Sequence, residues 1–513
     1  MARYRKISTL TALAFTLAVT GCSSGSGQPQ AQDPASASGA KGPLKLSFVL
    51  PVDGVQMGKD SLIVQELGKR SNTDLTVTAI PVKEYSSRMN LMLASGEIPD
   101  IVIDQTPNGQ MFSTQTIQAI KGGLFHDLTP YIEDPEFDKK YPNLAYSKDL
   151  WELTKFNGKI YGLPRSINEL AHSGIWIRKD LWDKSGLKLP TNTDELADMM
   201  IKVSKDAGIY GLEYGGDTST TFSALTSAFT GQLDWAVNDQ GDFTYYAFNP
   251  KYKDYLLWMK KLYDNKAIDP EFSLGQKNDK FDDGKAAVYV NAFFARPYYP
   301  NYRFFKDTVP KDADTTVLDP IKGPAGWAVY STTGFRDPAL LSSKVPKEDI
   351  PRFFEFWNYL ASDDKLQLEE YGIEGVHYKV EDGKKVRLPK YNEDVVNKYE
   401  QVGWNKAVDK VKLHADAGAT PEIVKKMYSV IEQNQKIMKD MHYGFPTYGI
   451  DAPKFSRGFA GLIKDLNDNR VKVIMGAMTL EQWDQYVKDV TSSAPYQEIL
   501  AELKDGYLKN KGN

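Results

Sequence analysis

The chain opens with a short apolar run, Leu10 to Val19, that follows the basic residues Arg3, Arg5 and Lys6. A basic start, a short apolar middle and small residues before a break are typical of a secretory signal peptide. The run is too short to remain in a bilayer as a spanning helix, and no second long apolar run follows it. We therefore expect residues 1–21 to be a signal peptide and the body of the protein to lie outside the cytoplasm.

Further along, the hydrophobic pattern alternates between the periods of strands and helices. Leu44–Leu50, Leu75–Ile80 and Ile101–Ile103 have the composition of strands, whereas Ser61–Lys69 and Tyr85–Ala94 have helical spacing. A strand, helix, strand, helix, strand order implies a parallel sheet with covered faces. The sequence therefore predicts an α/β fold.

Cys22 is the only cysteine, so it cannot form an intrachain disulfide. The segment from Val19 to Cys22 resembles the lipobox of bacterial lipoproteins, in which the cysteine receives fatty acyl chains such as palmitate and the chain is cut before it. This resemblance implies a stable anchor, because two acyl chains hold a protein on a membrane where one does not. The alternative is a plain secretory signal with an incidental cysteine.

Residues 22–43 are predicted to be a flexible tether. Ser23 to Gly42 is rich in Ser, Gly, Ala, Gln and Pro, and Asp33 and Lys41 are its only charges. Such a segment cannot bury enough apolar surface to fold, and twenty residues of flexible coil span roughly 25 Å. We expect the folded body to begin at about Leu44.

The charge balance argues against a nucleic-acid partner. Without residues 1–21 the chain keeps 60 basic and 67 acidic side chains, whereas nucleic-acid binding needs a basic footprint. The body is longer than one ordinary domain, so two lobes are expected. The 29 Tyr and 9 Trp suit a wet cleft, because these side chains combine an apolar face with a polar edge, although core packing is the alternative.

Several segments, in the same order along the chain, resemble those of extracellular solute-binding proteins of ABC importers, above all the large binders of sugar oligomers, including alginate-binding proteins. These segments are Leu91–Val102, Gly122–Ile132, Asn157–Pro164, Ile177–Leu187, Pro190–Leu196, Leu262–Glu271, Phe281–Val288, Tyr371–Tyr378 and Thr479–Val487. The resemblance implies a two-lobed, periplasmic-binding-protein-like α/β fold with hinge-linked parallel-sheet lobes. By analogy, lobe one holds residues 44–164 and 316–370, and lobe two holds residues 165–315 and 371–513.

The same resemblance implies a function: a lipid-anchored subunit on the outer face of the cell membrane that captures an oligosaccharide and delivers it to the permease subunits. Closure around the ligand would be a hinge motion. We expect a monomer without a cofactor. A peptide or another polar solute is the alternative ligand, and a surface sensor that imports nothing is the alternative role.

Candidate ligand contacts are aromatic and polar residues, because sugars pack on rings and need fixed hydrogen-bonding groups. Trp235 is the first stacking candidate, with ordinary packing as the alternative. Glu374 could accept from a hydroxyl or pair with a cation, with a hinge salt bridge as the alternative. Arg165 could donate to a pair of hydroxyls or to a uronate carboxylate, with a lobe-bridging ion pair as the alternative. Asp53 follows the first strand, where open α/β sheets bind ligands, but it could be a solvated loop carboxylate. The remaining candidates are Tyr371, His377, Tyr378, Trp176, Asn291, Arg296, Trp327 and Trp404.

An enzyme is the less favoured class. A secreted glycoside hydrolase needs two carboxylates across a cleft, and Glu369, Glu370 and Glu374 read more simply as a solvated face. The five His are scattered, which predicts no metal site. Residues 202–210 also lack the oxygen-ligand spacing of the calcium loop found in some large relatives, so we expect no calcium there.

Overall fold

We describe a computed structural model of the chain. It describes residues 42–52, 61–105, 111–145, 151, 154–163, 166–167, 173–214, 220–274, 280–292, 309–310, 312–330, 335–381, 383–394, 411, 419–441, 446–447 and 450–511. Residues Pro43–Asn513 form one compact unit, and its first strand begins at Leu44.

The strands fall into two main sheets and several two-stranded pairs. Their bounds are β1 (Leu44–Val52), β2 (Thr73–Pro81), β3 (Ile101–Ile103), β4 (Lys155–Phe156), β5 (Lys159–Ile160), β6 (Gly162–Leu163), β7 (Ser166–Ile167), β8 (Ser173–Arg178), β9 (Tyr210–Leu212), β10 (Trp235–Val237), β11 (Phe243–Tyr245), β12 (Ala286–Ala292), β13 (Thr315–Val317), β14 (Phe335–Arg336), β15 (Ala339–Leu341), β16 (Tyr378–Glu381) and β17 (Lys384–Arg387).

The helices surround these sheets. Their bounds are α1 (Leu62–Arg70), α2 (Val82–Ser95), α3 (Thr114–Lys121), α4 (Thr129–Ile132), α5 (Phe137–Lys140), α6 (Lys179–Ser185), α7 (Thr193–Ala207), α8 (Thr220–Thr230), α9 (Tyr252–Asp264), α10 (Ile350–Leu360), α11 (Asp363–Tyr371), α12 (Lys390–Asp394), α13 (Pro421–Asp440), α14 (Pro453–Leu462), α15 (Leu466–Ile474), α16 (Leu480–Thr491) and α17 (Ala494–Lys511).

The first sheet has the strand order β2-β1-β3-β15-β6. β1 pairs in parallel with β2 and with β3, as the alternating strand and helix pattern predicts, and β15 joins antiparallel. Helix α2 ends where predicted because Gly96 takes a left-handed conformation (φ 71°) that favours glycine. Ser113 caps α3 by accepting from the Thr116 N–H.

The second sheet has the order β13-β8-β12-β9, with β12 parallel to β9 and antiparallel to β8. It has a separate hydrophobic core, which the C-terminal helices α14 to α17 complete with residues such as Phe455, Trp483 and Leu503. The short pair β7–β14 joins the two chain segments that pass between the sheets.

Two predicted lobe boundaries are wrong. Residues 316–330 belong with the second sheet, because β13 pairs with β8 and Leu318, Ile321 and Ala328 lie in the second core. The return to the first sheet therefore comes shortly before β15. The first sheet and the hydrophobic core around it form what we call the first half of the molecule, and the second sheet with its core forms the second half. The segment after α11 belongs to the first half, since Tyr391 is buried in the first core.

Candidate functional site

Two of the predicted aromatic contacts are core residues. Trp235 on β10 is 3% exposed, and rings of Phe243, Tyr245, Phe455 and Phe459 lie 4.9 to 6.2 Å from it. Because neighbouring rings cover it, no face remains for a sugar, and the packing alternative holds for Trp235. Trp176 on β8 is 2% exposed and is likewise buried, in a smaller cluster behind the second sheet.

Asn291 and Trp327 are partly buried. The Asn291 amide donates to the hydroxyl of Tyr289, its neighbour on β12. Trp327 packs beside Val329 and Met438. Four other candidates, Asp53, Arg165, Arg296 and Trp404, lie outside the described residues, as does Cys22.

The segment Tyr371–Tyr378 forms a compact turn on the first half of the molecule. His377 is fully buried: its Nδ1 accepts from the Ile373 N–H at 2.8 Å, so Nε2 carries the proton and donates to Asp394 at 3.2 Å. Tyr371 is buried beneath the Lys385 ammonium, 4.2 Å from its ring centre. Tyr371 packs against Lys385 and Tyr378 of the β16–β17 hairpin, and His377 ties the turn to Asp394 on α12. The structure therefore gives both buried side chains a structural role where a ligand contact was expected.

Glu374 and Tyr378 complete that turn. Glu374 is exposed, and the Gly375 N–H donates to the Tyr378 carbonyl at 2.7 Å. Burial, together with the nearby Glu374 carboxylate, raises the pKa of the Tyr378 hydroxyl. Their binding roles stay predictions, since neither residue lines the cavity described next.

A cavity of about 190 Å³ opens at the carboxyl end of the parallel strands. Three of its walls come from the first half of the molecule: α2, the segment that follows β3, and the first turn of α3. The fourth wall is α14, which is built into the second core. The described residues that line it are Tyr85, Ser86, Met89, Asn90, Asp104, Gln105, Ser113, Thr114, Gln115, Ser456 and Arg457.

Seven of the described lining residues are Ser, Thr, Asn or Gln, with hydroxyl or amide side chains. Tyr85 and Met89 lie beside them, and the Tyr85 hydroxyl donates to the Ile103 carbonyl at 2.8 Å. Open α/β sheets bind ligands in this position, and a concave site with convergent polar groups is the usual form of a small-molecule site. None of the eight described candidates from the sequence lines it. The cavity is therefore a candidate site that the sequence reasoning missed.

Asp104 is the carboxylate of the described lining, and it is 2% exposed. Its Oδ2 accepts from the Ser113 N–H at 2.6 Å, and its own N–H donates to the Pro338 carbonyl. Burial raises the pKa of Asp104 to about 6, against the lowering effect of the hydrogen bond from Ser113. It follows β3 directly, so the rule that singled out Asp53 after the first strand would also have found it.

Replacing Asp104 with asparagine should remove part of the pH dependence of stability. A carboxyl whose folded-state pKa is raised from 3.8 to about 6 holds its proton more tightly in the folded state, so its stabilising effect is present at about pH 4 and is lost as pH rises through 6. Two pKa units correspond to roughly 3 kcal/mol. Urea unfolding between pH 4 and 7 should show wild type losing about this much relative to Asp104→Asn.

The matched control is Asp74→Asn, at an exposed position on β2. That variant should follow the wild-type pH dependence. Parallel curves for wild type and Asp104→Asn would contradict the prediction.

Among the described residues, no group of three or more His, Cys, Asp or Glu is arranged to hold a metal ion. No helix in this part of the chain has the length and apolar character needed to cross a bilayer. The segment expected to lack a calcium loop forms the end of α7, the left-handed Gly208 and the start of β9.

Comparisons with known proteins agree with this architecture. The model of the bacterial extracellular solute-binding protein family matches residues 58–341. The chain is 28% identical to the polygalacturonan/rhamnogalacturonan-binding protein YtcQ of Bacillus subtilis (strain 168), in an alignment that covers 93% of this chain and 95% of YtcQ. It is 23% identical to the lipoprotein LipO of the same strain, over 93% of this chain and 94% of LipO.

Among solved structures, the chain resembles S. pneumoniae FusA, an ABC-transporter substrate-binding protein, as an EF-hand mutant in complex with fructo-nystose. The TM-score is 0.63 at 19% identity, over 91% of this chain and all of that one. This likeness confirms the predicted two-lobed α/β fold.

Proposed function

This chain belongs to the bacterial extracellular solute-binding protein family, and on that premise we propose that it captures an oligosaccharide for an ABC importer. The main support for this proposal is the cavity between α2, the segment that follows β3, the first turn of α3, and α14. Its hydroxyl and amide lining supplies the fixed donors and acceptors that sugar hydroxyls need. YtcQ, a polygalacturonan/rhamnogalacturonan-binding protein, and FusA, in complex with fructo-nystose, support this ligand class.

We propose that the ligand is released unaltered. Glycoside hydrolysis normally uses two carboxylates on either side of the scissile bond. Among the described residues that line the cavity, Asp104 is the one carboxylate. This observation favours binding and delivery over bond cleavage.

Thermal unfolding of the purified protein with a panel of oligosaccharides tests the ligand class. A sugar at 100 times its Kd should stabilise the folded state by roughly 2.7 kcal/mol and raise the Tm, because it binds only the folded form. The panel should contain oligogalacturonides, alginate oligomers, fructo-oligosaccharides and peptides. A shift with peptides and none with any sugar would contradict the proposal, and new reducing ends would indicate a hydrolase.

The proposed location is the outer face of the membrane, with a lipid anchor on Cys22. The expected signal peptide and the relative named as a lipoprotein support it. Cys22→Ala should shift the protein from the membrane fraction to the soluble fraction on ultracentrifugation, whereas Ser26→Ala in the tether should not. An unchanged membrane fraction for Cys22→Ala would rule out this anchor.

The proposed partners are the permease subunits of the importer, with the binding protein acting as a monomer. Family membership supports the permease partners. Light scattering of the purified protein should give the mass of one chain; the mass of a dimer would contradict the monomer.

A further inference from the structure

The wall of the cavity formed by α14 includes a positively charged side chain, Arg457. Phe455 and Phe459 on one face of α14 pack against Trp235, with ring centres 5.6 and 4.9 Å away. Ser456 and Arg457 line the cavity from the same helix. The aromatic core that buries Trp235 therefore fixes the helix that presents Arg457.

Arg457 has hydrogen-bonding capacity to spare. It is exposed, and its Nε donates to the Pro453 carbonyl at 3.1 Å within the helix. The described carboxylates form no ion pair with it. Its two Nη groups can therefore donate as a pair to a carboxylate, which is the geometry that the guanidinium group fits best.

Opposite charges thus stand on different walls of one cavity. Asp104 is buried beside the first turn of α3 and can accept from ligand hydroxyls, while Arg457 lies on the α14 wall. A neutral sugar would satisfy the hydroxyl-binding side alone. A sugar acid has hydroxyl donors and a carboxylate on one ring, so it can match both sides.

We propose that Arg457 is a specificity-determining residue that binds the carboxylate of a uronic-acid unit, an inference that rests on the proposed function. Because Arg457 belongs to the second half of the molecule and the other walls to the first, the ligand's carboxylate also links the two halves. Charge on the ligand then favours closure as well as binding. A nearby ion pair, Lys121 with Asp451 at 3.3 Å, joins α3 to the residues just before α14.

The test compares trigalacturonate with its methyl ester, which keeps the ring and hydroxyls but lacks the charge. Wild type should bind the acid at least roughly tenfold more tightly, the scale of a charge-assisted hydrogen bond. Arg457→Gln should abolish this preference and leave ester affinity within about twofold. Arg457→Lys should keep part of it, and added salt should reduce it in wild type.

The matched control is Lys454→Gln, an exposed cation on α14 that pairs with Glu498 and does not line the cavity. It should keep the full preference for the acid. Thermal unfolding without ligand should give wild-type Tm values for all three variants, since Arg457 and Lys454 are exposed.

Equal binding of acid and ester by wild type would overturn the inference and leave the oligosaccharide function intact. The same holds if Arg457→Gln keeps the preference, or if Lys454→Gln loses it to the same extent. If neither pectin oligomer binds while neutral oligosaccharides do, the inference falls alone. If no oligosaccharide of any kind binds, the proposed function falls with it.

Discussion

Gly372→Ala is expected to destabilise the protein by about 4 kcal/mol. Gly372 ends α11 with φ 77° and ψ −146°, a region that is essentially restricted to glycine and costs other residues roughly 1–3 kcal/mol. An added Cβ would also lie 2.6 Å from the His377 Cβ, Cγ and Nδ1 atoms. The buried ring would have to move, at a further cost of roughly 1–3 kcal/mol.

That movement would break a second interaction. His377 Nδ1 accepts the Ile373 N–H, and its Nε2 donates to Asp394. A shifted ring cannot keep both bonds, so the turn should detach from the first half of the molecule. Urea unfolding gives the change in free energy, and hydrogen exchange at Ile373 should rise.

Gly375→Ala is the matched control, because Gly375 also has positive φ (78°) but nothing lies within 4 Å of its added Cβ. It should cost only the backbone strain, about 1–2 kcal/mol. Equal destabilisation by the two substitutions would show that the contact with His377 is unimportant.

Much of the fold could be predicted because it depends on local pattern. The first three strands and α2 follow from alternation, helical spacing and the stop at Gly96, and the structure places them within a few residues of the expected bounds. The boundary near residue 316 could not be predicted in this way. It depends on β13 pairing with β8, which is distant in sequence.

The candidate site was predictable only in part. Asp104 follows a strand end and carried a local signal, whereas Arg457 reaches the cavity through the packing of α14, which no nearby sequence pattern indicates. Trp235 shows the opposite difficulty. An aromatic residue beside glycine and polar residues has the same composition whether it stacks on a sugar or on other rings, and here four rings surround it.

Arg470→Met should destabilise the second core by about 3 kcal/mol or more, because each hydrogen bond from a charged donor contributes roughly 1.5–3 kcal/mol. Arg470 on α15 is fully buried, with its guanidinium 4.2 Å from the Phe222 ring centre. Its Nη1 donates to the Tyr252 hydroxyl at 3.0 Å and faces the Tyr246 hydroxyl at 3.4 Å, and its Nη2 donates to Asn467. Methionine fills a similar volume but donates nothing, so both tyrosine hydroxyls lose this donor.

A double-substitution cycle separates that cause from lost packing. If hydroxyls left without a donor account for the cost, adding Tyr252→Phe to Arg470→Met should recover roughly 1 kcal/mol or more. Tyr252→Phe alone should destabilise the wild-type protein, because it removes the hydroxyl to which Arg470 donates. Tyr255→Phe is the matched control: Tyr255 is buried beside Tyr252, with ring centres 5.5 Å apart, yet it is not one of the two hydroxyls that Arg470 contacts. Its effect should be the same with arginine or methionine at position 470. Additive effects for Tyr252→Phe would instead mean that Arg470 stabilises the core through its stacking on Phe222.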